Sequence, residues 1–149
     1  MAQINVHELH NSLDYAVGLA PVAAAQTDNT ALVSAIIDSQ DLETFEFVIM
    51  TGTLADADAT FAVTMDHGDA ANLSDAAAAP TECLIGTLAA AGFTFAADSA
   101  IRKIGVVPRK GAGKRYWRLT VTPSNNTGAA PIVILVVKKG WNVPFTPVG

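Results

Sequence analysis

Lys114-Arg115-Tyr116-Trp117-Arg118-Leu119-Thr120-Val121-Thr122 decides the fold class of this chain. Successive side chains of an extended backbone point to opposite sides. Trp117, Leu119 and Val121 therefore share one face, and Tyr116, Arg118, Thr120 and Thr122 share the other. One side is built for a core and the other for water, which is the pattern of a half-buried strand. The flanks continue it. Lys103-Ile104-Gly105-Val106-Val107 reads as the preceding strand, joined by a basic turn at residues 108–113. Ile132-Val133-Ile134-Leu135-Val136-Val137 reads as the following strand, after a second turn at residues 123–128. This last run is apolar on both faces, which predicts a central or doubly covered strand.

The same period runs upstream. Phe45, Phe47 and Ile49 alternate with Thr44, Glu46 and Val48, and Phe61, Val63 and Met65 alternate with Thr60, Ala62 and Thr64. The polar loop between these two segments reads as a hairpin connection. His67-Gly68-Asp69 reads as a turn. Residues 13–22 suit a first edge strand ending at Pro21, since proline cannot donate to a ladder. Residues 31–37 form a further strand, and residues 83–87 and 92–96 give short apolar fragments. Ala76 to Ala79 favour helix, but Pro80 stops it, so residues 70–81 are expected to be a loop with at most one helical turn. Eight to ten strands with turn signals every ~8–12 residues predict an all-β antiparallel β-sandwich, jelly-roll-like. Residues 1–12 form an extended N-terminal arm, 13–139 the sandwich, and 140–149 a C-terminal tail with Trp141, Phe145 and two prolines.

A chain of 149 residues suits one domain and needs no disulfide or metal to hold its core. Cys83 is its one cysteine, so an internal disulfide is excluded. Residues 1–20 lack the basic and apolar regions of a secretory signal. No apolar run approaches the ~18 residues of a membrane span, so the expectation is no membrane, and the single cysteine gives no sign of an oxidising compartment. Only 15% of residues are charged, which hints at a surface covered by a partner. The charges are sharply segregated. All 14 acidic residues lie at or before Asp98, and all 9 basic residues at or after Arg102, for a net charge of −5. Either the two blocks neutralise each other within one sandwich, or an acidic and a basic face meet across subunits. An acidic chain with few basic residues and no recognition motif speaks against nucleic acid.

Little chemistry is visible. His7-Glu8-Leu9-His10 lacks the spacing that puts two histidines of a zinc site on one helical face, and it reads as a solvated arm. Cys83 reads as a buried small hydrophobe rather than a nucleophile. Asp56/Asp58 and Asp66/Asp69 are carboxylate pairs without a calcium-loop pattern. Gly111-Ala112-Gly113-Lys114 lacks the upstream glycine and the following Ser or Thr of a phosphate loop, and reads as a flexible turn. The row Tyr116, Arg118, Thr120, Thr122 is either a ligand surface or a solvated strand face. No nucleophile–base pair or ligand cluster can be assembled, so the expectation is no enzyme, no metal and no cofactor.

Lys103-Ile104-Gly105, Lys114-Arg115-Tyr116-Trp117-Arg118, Thr122-Pro123, residues 125–128 and residues 132–137 together resemble small tailed-phage virion proteins of the head module. Leu84-Ile85-Gly86-Thr87 and the acidic turn Met65-Asp66-His67-Gly68-Asp69 add to the resemblance, which spans roughly residues 13–137. It implies a capsid decoration (cement) protein: a virion component made in the host cytoplasm, bound to the outer surface of the major capsid protein, and a homotrimer. A head–tail connector or tail component, or a carbohydrate-binding module displayed on the virion, are the alternative readings. Under this reading the expected partner contacts are His7 and His10 in the arm, Arg109, Lys110 and Lys114 at the basic turn, and Trp141 and Phe145 in the tail.

Overall fold

The computed structural model describes residues 9, 10, 12–21 and 25–140. The decisive strand is β10 (Tyr116–Ser124), and the expected alternation is present: Trp117, Leu119, Val121 and Pro123 are buried, with half-buried residues between them. Pro123 belongs to the strand and not to the following turn. It sits near the strand end, where its missing N–H is tolerated.

Two antiparallel sheets pack face to face. The first has the order β1 (Asp14–Leu19), β11 (Ile132–Gly140), β4 (Leu42–Thr51), β9 (Ile101–Val106), β7 (Leu84–Ile85). The second runs β2 (Leu32–Val33), β10, β5 (Thr60–Gly68), β6 (Ala77–Ala78). To it are added β3 (Ile37–Asp38), paired with β10, and β8 (Phe93–Thr94), paired with β5. β1 is the expected edge strand, and β11 is interior, paired along its length with β4 and, from Ile134 to Lys138, with β1. The predicted sandwich of antiparallel sheets is therefore the observed fold.

Between the sheets lies one core. Phe45, Phe47 and Ile49 from β4 and Ile132, Ile134 and Val136 from β11 face Phe61, Val63 and Met65 from β5 and Trp117, Leu119 and Val121 from β10; all twelve are buried. Phe45 meets Phe47 and Trp117 edge-on at 5.6 and 6.1 Å, an arrangement favoured by the ring quadrupoles. Phe61 stacks on Phe93 at 4.7 Å, which ties β8 to the core.

Four sequence expectations are corrected. β4 and β5 are not a hairpin: they lie in opposite sheets. The loop between them carries Leu54 and Ala59 into the core, so it crosses from one layer to the other instead of turning back within one. His67 is not in a turn: β5 runs through it, paired with Trp117, and it is 5% exposed. The segment expected as one strand at residues 31–37 is split into β2 and β3, which pair with two separate stretches of β10. The alanine run at 76–79 contributes the short strand β6. The helical turns come later, at Thr81–Cys83 and at α1 (Leu88–Ala91). Thr87 caps α1, its hydroxyl accepting from the Ala90 N–H at 3.1 Å, and that capping bond outweighs the bare propensity of an uncapped alanine run.

Candidate interaction surfaces

The basic turn at residues 108–113 is held from four sides. Glu82 accepts the Ala112 N–H at 2.9 Å, and the Cys83 thiol donates to the Lys110 carbonyl at 2.8 Å. Trp117 Nε1 donates to the Lys114 carbonyl at 2.7 Å, and His67 Nδ1 accepts the Lys114 N–H at 3.2 Å. Gly111 adopts φ +56°, in the region where a side chain is strained. The turn read as flexible is thus wired to the core beneath it.

Of the three basic residues expected to reach a neighbour, two are engaged at home. Lys114 lies 3.8 Å from both Asp69 and Asp75, and the Arg109 guanidinium donates to the Gln40 carbonyl. Lys110 is exposed. Asp75 accepts the N–H groups of Asp69 and Ala70, and those bonds hold its carboxyl below the ordinary value. His10 is exposed. His7, Trp141 and Phe145 lie outside the described residues.

His67 and Cys83 have the environments of packed groups. Burial, helped by the Lys114 charge, pushes the His67 imidazole below its ordinary value and keeps it neutral. Its ring lies 5.0 Å from that of Trp117. Burial and the adjacent Glu82 push the Cys83 thiol up, away from the thiolate a nucleophile needs. The carboxylate pairs are separated by their duties. Asp56 takes the N–H and hydroxyl of Thr127 at 2.7 and 2.8 Å, while Asp66 faces Arg118 at 3.5 Å. Among the described residues no group of three His, Cys, Asp or Glu side chains is placed to hold a metal.

The outer faces of the two sheets differ. On the second sheet the outward side chains include Thr60, Ala62, Thr64 and Asp66 of β5 and Tyr116, Arg118, Thr120 and Thr122 of β10, in register with one another. This is a solvated polar face, with Arg115 stacked over Tyr116 and paired to Asp38 through two hydrogen bonds of 2.7 and 2.8 Å.

The first sheet is the opposite. Register places Tyr15, Val137, Glu46, Gly105 and Ile85 in one row across its outer face, and Val17, Leu135, Val48 and Lys103 in the next. Val133, Met50 and Ile101 make a third. Val17, Ile85 and Ile101 are 62, 57 and 63% exposed, and Tyr15 is 49% exposed. Val48, Met50, Val133, Leu135 and Val137 are half-buried among them. β11 is thus apolar on both sides, as its sequence shows, but among the described residues only its inner side is covered. A groove of about 300 Å³ opens on this face, floored by Gly105 and walled by Ile85, Val137, Glu46, Thr44 and Leu13. The apolar outer phase of β11 reads in the sequence as the mark of a central or doubly covered strand, and of these two β11 is the interior strand. The matching signal in Val48 and Met50 was legible, but only the pairing of β11 with β4 makes the two runs one surface.

No protein-family model matches the chain, and no curated protein sequence matches it. No helix among the described residues is long and apolar enough to cross a membrane.

Proposed function

We propose that this chain is a structural, non-enzymatic protein of a tailed-phage head: a decoration (cement) protein on the virion surface, bound to the outside of the major capsid protein and associated with itself as a homotrimer. The observation that carries the reading is the apolar outer face of the β1-β11-β4-β9-β7 sheet. Contiguous exposed apolar surface on a folded protein marks a face that something covers, and covering a shell is what a decoration protein does. The side chains able to do chemistry support the same reading, because they are spent on the scaffold: His67 and Cys83 hold the basic turn, Asp56 holds the residue-127 loop, and Glu82 caps Ala112. The residues behind the resemblance to phage head proteins have scaffold duties too. Gly105 lets Ile85 lie across β9, with the Ile85 Cβ only 3.1 Å from where a Gly105 side chain would begin, and Trp117 fills the core. We infer further that the strand order, with β1-β11-β4-β9 facing β2-β10-β5, is jelly-roll wiring, in which consecutive long strands alternate between layers.

The test is the copy number of the protein in purified particles of the phage that encodes it, by quantitative mass spectrometry. A decoration protein is expected at a number commensurate with the capsid lattice, comparable to the major capsid protein. A number matching the portal ring or tail tip would place it at the head–tail junction instead. Absence from the particle would end the virion reading.

A further inference from the structure

The apolar face has a candidate occupant within the sequence itself. In β11 the odd-numbered residues point outward: Val133, Leu135, Val137 and Lys139. The same phase continues past the strand as Trp141, Val143, Phe145 and Pro147, with Asn142, Pro144, Thr146 and Val148 between. Over residues 141–147 the odd positions are apolar, with polar Asn142 and Thr146 among those between, which is the pattern of an extended segment with one more apolar side. Pro144 and Pro147 keep it from a central position in a ladder but suit an extended segment laid on a surface.

Among the described residues, no strand of its own sheet is paired with β11 beyond Gly140. Gly140 is already opposite Leu42, the first residue of β4, and Lys138 is opposite Asp14, the first residue of β1. To lie on the outer face of its own sheet the chain would have to reverse direction after Gly140 and spend part of its remaining nine residues on the turn. Reaching another copy needs no reversal. Nine residues extend about 30 Å, and five strands at roughly 4.8 Å spacing are about 20 Å wide, so one tail is long enough to cross the face of a neighbour.

We propose that residues 141–149 of one copy of this chain dock on the outer face of the β1-β11-β4-β9-β7 sheet of a second copy, with an aromatic side chain of the tail in the groove beside Ile85 and Gly105. The contact is heterologous: tail meets face, so a closed ring satisfies every copy. It gives the self-association of the proposed function a site, and it requires no capsid.

The test uses the isolated full-length protein and two single-cysteine additions, Ile85→Cys and Phe145→Cys, on separate copies. Ile85 is exposed and Cys83 is buried, so neither the fold nor the native thiol interferes. The two variants, one carrying an affinity tag to distinguish its mass, are mixed at high concentration under mild oxidation. Tagged–untagged disulfide dimers are expected about tenfold or more above a control in which Thr64→Cys, on the polar outer face, replaces Ile85→Cys, because docking raises the effective concentration of the two thiols. Equal yield in both mixtures, repeated with Thr146→Cys in place of Phe145→Cys so that both tail aromatics are kept, overturns the proposal. So does a double variant, Ile85→Cys with Phe145→Cys, that closes its disulfide within a single chain, which would assign the face to the chain's own tail. If the tail cross-links as expected but the protein is absent from phage particles, this inference stands and the capsid reading falls. If the protein is present at lattice copy number without cross-linking, the reverse holds.

Discussion

Trp117 is the side chain on which the most structure depends. It is wholly buried, meets Phe45 edge-on, lies against His67, and ties the basic turn to β10 through its indole N–H. Trp117→Ala should cost about 3–5 kcal/mol, the range for an aromatic removed from a packed core, measurable as a lowered midpoint and extrapolated free energy in urea unfolding. A cost near zero would mean the core does not close around this residue. His67 gives a prediction in pH. In the unfolded chain its imidazole takes a proton near the ordinary 6.5, and in the folded chain only at lower pH. Between those values the unfolded state binds more protons, so the contribution of His67 to stability is constant above about pH 6.5 and declines as pH falls below it. The depressed carboxylates Asp38, Asp56 and Asp75 add their own loss only further down, below the ordinary 3.8. His67→Gln should flatten the first part of this acid slope while leaving the second, read from urea midpoints across pH. An unchanged slope between pH 6.5 and 4.5 would show that another group titrates there (these limits are approximate, set by the reference values for histidine and carboxylates).

At the scale of elements, the alternation in residues 44–49, 60–65 and 116–122 marked β4, β5 and β10 with their inward faces correct, because burial on one side of a strand writes a period of two into the sequence. Alternation says which way a side chain points but not which strand lies alongside. That is why β4 and β5 looked like a hairpin, although they belong to opposite sheets. The short elements were less legible for a different reason. β2, β3, β6, β7 and β8 are two residues each, too short to show any period, and they exist because longer neighbours pair with them. The turn at residues 108–113 was read as flexible from its glycines, yet each glycine has a steric task. A side chain on Gly113 would run into the Pro108 carbonyl oxygen, and one on Gly111 into the Glu82 carboxylate. Gly113→Ala should therefore destabilise by about 1–3 kcal/mol, the usual cost of forcing an extra group into a packed site. Because the collision is with backbone, no rotamer change relieves it. Differential scanning fluorimetry against wild type checks this, and an unaltered melting temperature would return the turn to the status of a loose loop.

For the molecule as a whole, the segregation of acidic and basic residues along the chain was plain in the sequence, but its consequence required topology. β11 lies between β1 and β4, β9 beside β4, and β10 beside β3 and β5, so each basic strand has at least one paired neighbour that carries a carboxylate. Lys138 pairs with Asp14 at 2.8 Å, Lys139 with Glu43 at 3.1 Å, Lys103 with Glu46 at 3.9 Å and Arg115 with Asp38 at 2.7 Å. The two blocks thus neutralise each other inside one subunit, and charge is left as a weak candidate for holding copies together. The apolar outer face of the first sheet is the stronger one. The two have opposite responses to salt. Contacts between exposed charges fade once the Debye length falls to about 10 Å or less, whereas burial of apolar surface does not. Self-association measured by light scattering should therefore be as strong at high salt as at low salt. Changing Val17 and Ile101 together to Glu should abolish it while leaving the fold intact, since both side chains are mostly exposed. Changing Arg109, Lys110 and Lys114 to Glu has a different expected outcome. The new charge beside Asp69 and Asp75 should lower the stability of each subunit through like-charge repulsion, without making association salt-dependent. Association that weakens steeply with salt and survives Val17→Glu with Ile101→Glu would reverse this ranking and make the charged turns the interface.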